Sequence, residues 1–421
     1  MELTLRLRVA LAAVVLFLLP PVLSAQQSSD SDREAGEISR PRFGGPDSVD
    51  QQLASDAETE RTLLDGFQDW KSGLAEDGLA FTVDYSAVWL SADQSPAEDE
   101  AASGMFRFYG SWDLVGGESG NTGSLIWKVE NRHRYTDIPP GDFGLNLGYV
   151  GLTEPPFSNQ ETRLTNLYWR HRLNEGKVTV LGGWVDTTDY VDVYALASPW
   201  TGFANFVFST GAATIGVPNE GLGAAVGAMV SDNAYLIAGF ADTNSDPHDP
   251  GQGFDTFFDQ REYFKHLEFG WTTAPDRIYL DNLHVTLWHT DERTEAGSPD
   301  GWGVNFSWTE YLRGKWLPFI RAGHANDGGT LLETSVSVGF GYQPAPGQNL
   351  LGVGLNYGEP NSDTFAPDLP EQTTIEVFYR FQFAREFAIT PSLQYMKDPA
   401  LNTDPDQDSI WVLGLRARLA L

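Results

Sequence analysis

Ser409-Ile-Trp-Val-Leu-Gly-Leu-Arg-Ala-Arg-Leu-Ala-Leu421 decides the fold. Side chains on a strand alternate between its two faces. Trp411, Leu413, Leu415, Ala417, Leu419 and Leu421 therefore share one face, while Val412, Gly414, Arg416, Arg418 and Ala420 share the other. The first face is continuously apolar and the second carries two arginines. In water the apolar face needs a second layer. Across a bilayer, lipid covers it and the arginines face a wet lumen.

The same alternation recurs upstream. Phe81, Val83 and Tyr85 alternate with Thr82, Asp84 and Ser86; Phe106, Phe108 and Trp112 alternate with Arg107, Tyr109 and Ser111; Leu125, Trp127 and Val129 alternate with Ser124, Lys128 and Glu130. Further strands are expected near 162–172, 177–186, 221–231, 233–242, 261–272, 282–290, 301–311, 315–325, 331–342, 349–358, 371–383 and 386–396, with a weaker segment near 142–151. Connections alternate in length. Those at 231–233, 343–348 and 384–386 are short, and those at 243–260, 359–370 and 397–408 are long and polar. Outer-membrane barrels have an even strand number, short periplasmic turns and long external loops. Placing 142–151 inside an external loop leaves sixteen antiparallel strands over 79–421, with both ends of the barrel in the periplasm. A barrel of that size leaves an aqueous channel.

Before the strands lie three segments. Arg6 and Arg8 precede the apolar run Val9–Leu19, Pro20-Pro21 break it, and Ser24-Ala25 offers a cleavage site, so 1–25 read as a secretory signal peptide. The run is shorter than the roughly 20 residues of a spanning helix. Residues 26–50 read as a flexible acidic leader. Residues 51–78 read as a helix at the periplasmic mouth, with Leu63, Phe67, Trp70 and Leu74 on one stripe.

Composition narrows the function. The chain has no cysteine, which excludes disulfide frameworks and thiol chemistry, and a formal charge of −31, which repels nucleic acid. Aromatics at 13% and 43 glycines suit girdles and tight turns. Neither Gly-x-Gly-x-x-x-Gly run, 221–227 or 352–358, has dinucleotide spacing, and no Gly-x-Ser-x-Gly or His-Glu-x-x-His occurs, so the chain is not read as an enzyme. The acidic runs Asp242–Asp246 and Asp404–Asp408 read as solvated loops, and neither metal nor cofactor is expected.

Near the C-terminus, Glu376-Val-Phe-Tyr379-Arg380 is followed by Thr390-Pro-Ser-Leu-Gln-Tyr395, Asp398-Pro399 and Gly414-Leu-Arg416. Leu64-Asp-Gly-Phe-Gln-Asp-Trp70 leads into the first strand at the front. These segments resemble the carbohydrate-selective porin (OprB-type) family. Such porins usually end in Phe or Trp, whereas this chain ends in Leu421. The resemblance implies passive diffusion of sugars through an eyelet of arginines and acids with aromatics beside it. Sugar hydroxyls need both donors and acceptors, which those groups supply. Inward candidates are Arg107, Lys128, Glu130, Arg132, Arg134, Arg170, Arg172, Arg321, Glu376, Arg380, Arg416 and Arg418, though each taken singly reads more readily as a wall charge paired across strands. The loop from Thr187 to Asn219 carries Tyr190, Tyr194, Trp200, Phe203, Phe206 and Phe208 and is expected either to fold inward as a constriction or to pack on the barrel rim or on neighbouring subunits. Expected partners are small sugars, outer-membrane lipid and the barrel-assembly machinery, with the protein a monomer or homotrimer. A general diffusion porin and an envelope anchoring barrel remain the alternatives.

Overall fold

The computed structural model describes residues 43–54, 62–116, 121–294, 296–345, 347–402, 404 and 407–421. The signal-peptide reading and most of the acidic leader fall outside the described residues. Sixteen antiparallel strands close into one barrel, each pairing with its neighbours in sequence. They are β1 Leu79–Ala92, β2 Glu100–Gly116, β3 Thr122–Arg134, β4 Glu161–Leu173, β5 Val178–Val185, β6 Gly221–Met229, β7 Ala234–Asp242 and β8 Tyr263–Thr272, then β9 Asn282–Thr290, β10 Gly301–Thr309, β11 Trp316–Asp327, β12 Leu332–Tyr342, β13 Leu350–Pro360, β14 Gln372–Ala384, β15 Phe387–Lys397 and β16 Ser409–Ala420.

The seam joins β1 to β16 in a register that pairs Tyr85 with Leu419 and Ala92 with Val412. Leu421 extends it: its carbonyl accepts from Val83 N at 2.9 Å and its N–H donates to Val83 O at 2.7 Å. The closed ring leaves no open sheet edge, as a hydrocarbon surrounding demands. The outward residues Trp411, Leu413 and Leu415 are exposed, and their inward neighbours Ile410, Val412 and Arg416 are buried. The weak segment near 142–151 is not a strand. Pro140–Asn146 forms a short helix inside the long β3–β4 loop.

Where one helix was expected over 51–78, the described residues form two. The first, α1, spans Pro46–Ala54 and so takes in residues assigned to the leader. The second, α2, spans Asp65–Glu76. α2 lies on the outside of the short-turn rim, where Trp70 meets Phe81 edge to face at 5.9 Å. Leu63 N and Gln68 Nε2 there donate to Glu386 in the β14–β15 turn, at 2.9 and 3.2 Å. α1 goes inside. Phe43, Val49 and Leu53 are buried in the largest apolar cluster of the protein. The sequence reading assigned this stretch to solvent because its apolar residues are few. They are nonetheless spaced to face a wall.

The β5–β6 loop fills the lumen above α1. Tyr194, Phe203 and Phe208 pack against Phe319 of β11 and Phe378 of β14, with ring centres 5.0–6.5 Å apart. Such burial stabilises by roughly 1.5–3 kcal/mol per large apolar side chain. It is possible because the facing wall is bare. A Cβ on Gly354 of β13 would stand 2.7 Å from the Phe208 ring, and one on Gly227 of β6 would stand 2.8 Å from the Phe43 ring. The glycine-rich runs noted in the sequence are thus seats for inserted aromatics. At mid-height the inward side chains are buried on most strands, including Asp84, Arg107, Glu268, Thr286, Ser307, Arg321, Ser337, Asn356 and Glu376. This lumen is occupied, unlike the open channel expected from strand number alone.

Candidate functional site

Strand alternation aims a set of charged side chains at the barrel axis, and three intruding pieces meet them. On β2, Arg107 is fully buried. Its Nη2 donates to Asp84 of β1 at 2.8 Å and its Nη1 donates to Asp47 of α1 at 3.1 Å. The guanidinium also lies over Trp200 of the β5–β6 loop, 3.9 Å from the ring centre, and 4.9 Å from that of Tyr109. On β3, Lys128 donates to Asp189 of the loop at 2.8 Å and lies 3.5 Å from Asp47. On β16, Arg418 donates to Asp84 at 2.6 Å and lies 3.6 Å from Asp50 of α1. Asp50 also accepts from the hydroxyls of Ser198 (2.9 Å) and Thr201. Arg380 of β14 is buried, reaches only Gln348 O at 3.4 Å and makes no ion pair among the described residues.

The other candidates anchor the loop or line the two ends. Arg416 donates to the carbonyls of Pro199 and Gly202, both at 2.7 Å, and pairs with Glu154 of the β3–β4 loop at 3.3 Å. The Glu376 carboxylate accepts from the backbone N–H groups of Ala204 and Asn205 at 2.7 and 2.9 Å. Arg321 holds Asp192 and the Ser209 carbonyl and lies 4.3 Å from the centre of the Tyr194 ring. Glu130 pairs with Arg132 on its own strand. Arg134 is exposed at the long-loop end and donates to Asp137 O. Arg170 and Arg172 sit toward the short-turn end of β4, opposite Ser124 and Thr122. Tyr190 lies beside His266 with ring centres 5.5 Å apart, and Phe206 is half-buried.

Of the wall candidates, Arg107, Lys128, Glu130, Arg321, Glu376, Arg380 and Arg416 are buried. The structure joins Arg107, Lys128 and Arg418 into one cluster and distributes Arg321, Glu376 and Arg416 along the loop. Sequence reasoning missed the acids that complete the pairs: Asp47, Asp50, Asp84, Asp189, Asp192 and Glu154. Asp84 was legible, because it alternates inward with Ser86. The rest lie on non-strand segments, where no period marks direction.

Electrostatics follow the geometry. Burial opposes charge on Asp47, but Arg107, Lys128 and Arg418 outweigh it and hold its carboxyl down at about 2. Burial pushes Asp189 up to about 6 against the pull of Lys128, and Glu154 up to about 7 against that of Arg416. Among the described residues no group of side chains is arranged to hold a metal ion.

Residues 115–301 and 292–421 match the model of the carbohydrate-selective porin, OprB family. The structure of Pseudomonas putida OprB at high pH superimposes with a TM-score of 0.66 at 15% identity, covering 84% of this chain and 97% of that one. A mutant of the Rh. blastica porin superimposes with a TM-score of 0.51 at 13% identity, covering 82% of this chain and all of that one, 100%. No curated protein matches the chain.

Proposed function

This chain belongs to the carbohydrate-selective porin (OprB) family, and on that premise we propose that sugars diffuse passively past the cluster centred on Arg107, Lys128 and Arg418. The protein is an outer-membrane porin of sixteen strands. One observation carries the choice of path. Cations and carboxylates stand side by side at 2.6–3.5 Å, Asp84 on the wall between Arg107 and Arg418 and the inserted Asp47 and Asp189 beside Arg107 and Lys128, with the Trp200 and Tyr109 rings against the central guanidinium. A pyranose asks for that combination, since it presents donors, acceptors and C–H faces together. Such a device orients and passes a solute. Its carboxylates are engaged by cations, so we assign it no catalytic role.

Liposome swelling with a panel of neutral sugars tests the reading. Once the α1 contacts described below are removed, selective passage predicts hexoses entering faster than uncharged solutes of equal size. Equal rates at equal size would instead indicate general diffusion without sugar preference. No swelling with any solute, even after removal of the α1 contacts described below, would indicate an anchoring barrel.

A further inference from the structure

The segment Phe43–Ala54 crosses the short-turn end of the lumen like a bar, tied at three separate arcs of the wall. At one end Gly44 N donates to Tyr279 Oη in the β8–β9 turn at 2.8 Å, and the Phe43 ring meets that of Tyr235 at 6.2 Å. At the other end Leu53 O accepts from Gly347 N of the β12–β13 turn at 2.9 Å. Between them, Asp47 and Asp50 reach β2, β3 and β16. Phe43, Val49 and Leu53 seat the bar in the apolar cluster. Its attachments to β2, β3 and β16 are carboxylate to cation.

The cations are the informative half. Arg107, Lys128, Arg380 and Arg418 gather on this side of the lumen, and their ion-pair partners on the wall and loop are Asp84 and Asp189. Glu130 is taken by Arg132. Asp186 lies close by, its carboxylate accepting from Thr188 N at 2.9 Å. Arg380, buried and without an ion pair among the described residues, has Asp50 as the carboxylate that acts on it most strongly. With α1 withdrawn, the four cations outnumber those partners. Such an excess, in a cavity walled by low dielectric, attracts anions strongly. The hydroxyls of Ser198 and Thr201 and the Trp200 ring stand at the same place.

We propose that this cationic cradle binds solutes carrying a carboxylate on a polyhydroxylated ring, that is, sugar acids, and that Asp47 and Asp50 occupy it as a tethered stand-in, so that solute and α1 compete. The proposal rests on the porin reading and adds a solute class and a gate to it. Guanidinium forks favour planar carboxylates over neutral hydroxyls. A sugar acid arriving at the cradle releases the bar, and a neutral sugar does not.

The full chain in planar bilayers tests this. Galacturonate is the probe, galactose the ring without charge, and acetate the charge without a ring. Galacturonate should raise the opening frequency of the wild type at least tenfold, with galactose and acetate near baseline. Asp47→Asn with Asp50→Asn should open without any probe. A lock supplies the second variant. A Cβ on Gly227 would lie 2.9 Å from Phe43 Cγ, so cysteines at 43 and 227 can approach the roughly 3.5–4.5 Å between Cβ atoms of a disulfide. The chain has no other cysteine to compete. The F43C/G227C protein should stay silent when oxidised and respond to galacturonate once reduced. Openings in the oxidised lock equal to those of the reduced protein would overturn the gate. Galactose or acetate acting as well as galacturonate would overturn the solute class. In both cases sugar diffusion itself would stand. A barrel that passes neither ions nor sugars after loss of both carboxylates would instead refute the porin path.

Discussion

The guanidinium of Arg107 lies against the Trp200 ring, its carbon 3.9 Å from the ring centre, so the wall of the barrel grips the inserted loop through a cation and a π face. The same guanidinium holds Asp84 and Asp47. Replacing it by alanine removes all three contacts and leaves Asp84 to Arg418 alone. Breaking a buried pair costs about 3–5 kcal/mol. The Arg107→Ala protein should insert as a barrel, melt at lower temperature, show weaker block of ion current by sugars and shift its selectivity toward cations. Bilayer reversal potentials and thermal unfolding measure the outcome. Unchanged block with normal folding would place the narrow point elsewhere.

Protonation should tighten the bar. Asp189 is raised to about 6, mainly by burial, so its protonated form is favoured in the folded protein. Stability then rises as pH falls through 6 toward the ordinary carboxylate value, because the folded state takes up a proton that the unfolded chain does not. Asp47, held at about 2, keeps its charge throughout. Lys128 loses one of its two carboxylate partners and turns to Asp47. Opening frequency should be lower at pH 5 than at pH 7.5, and Asp189→Asn should flatten the difference. Glu154, raised to about 7, titrates in the same window. Glu154→Gln should keep the Asp189 step, and losing that step would reassign the effect to Arg416.

The glycine seat on β13 can be filled. Gly354→Ala sets a methyl group 2.7 Å from the Phe208 ring and 3.0 Å from that of Phe203. Overpacking of this kind costs about 1–3 kcal/mol. The β5–β6 loop should give way before the wall does, raising single-channel conductance while the strand content seen by circular dichroism stays constant.

Topology has its own check. A tag inserted at Asp363, in the long β13–β14 connection, should react on intact cells, and one at Gly347 should not. The reverse pattern would invert the barrel.

The wall was readable from residue alternation because each strand has one lipid face and one lumen face, and period two survives in the sequence wherever both are enforced. Arg107, Lys128 and Arg416 could be aimed inward for that reason. The segment near 142–151 was rightly set inside a loop: Phe143, Leu147 and Tyr149 are buried as a strand's inner residues would be, but the even strand count left no place for it in the wall. What could not be read was what fills the lumen. Asp47 and Asp50 find their partners across 60 residues or more, and such distant meetings leave no local period.

The seam carries a consequence for biogenesis. β16 pairs with β1 at the closing edge, so the ring cannot be completed until β16 has been delivered. α1 precedes every strand, yet its contacts lie on β2, β3, β16 and the turns after β8 and β12. It therefore has no finished berth until closure is over. α1 must wait at the rim and dock last, and a nascent barrel passes through a stage in which its mouth stands unguarded.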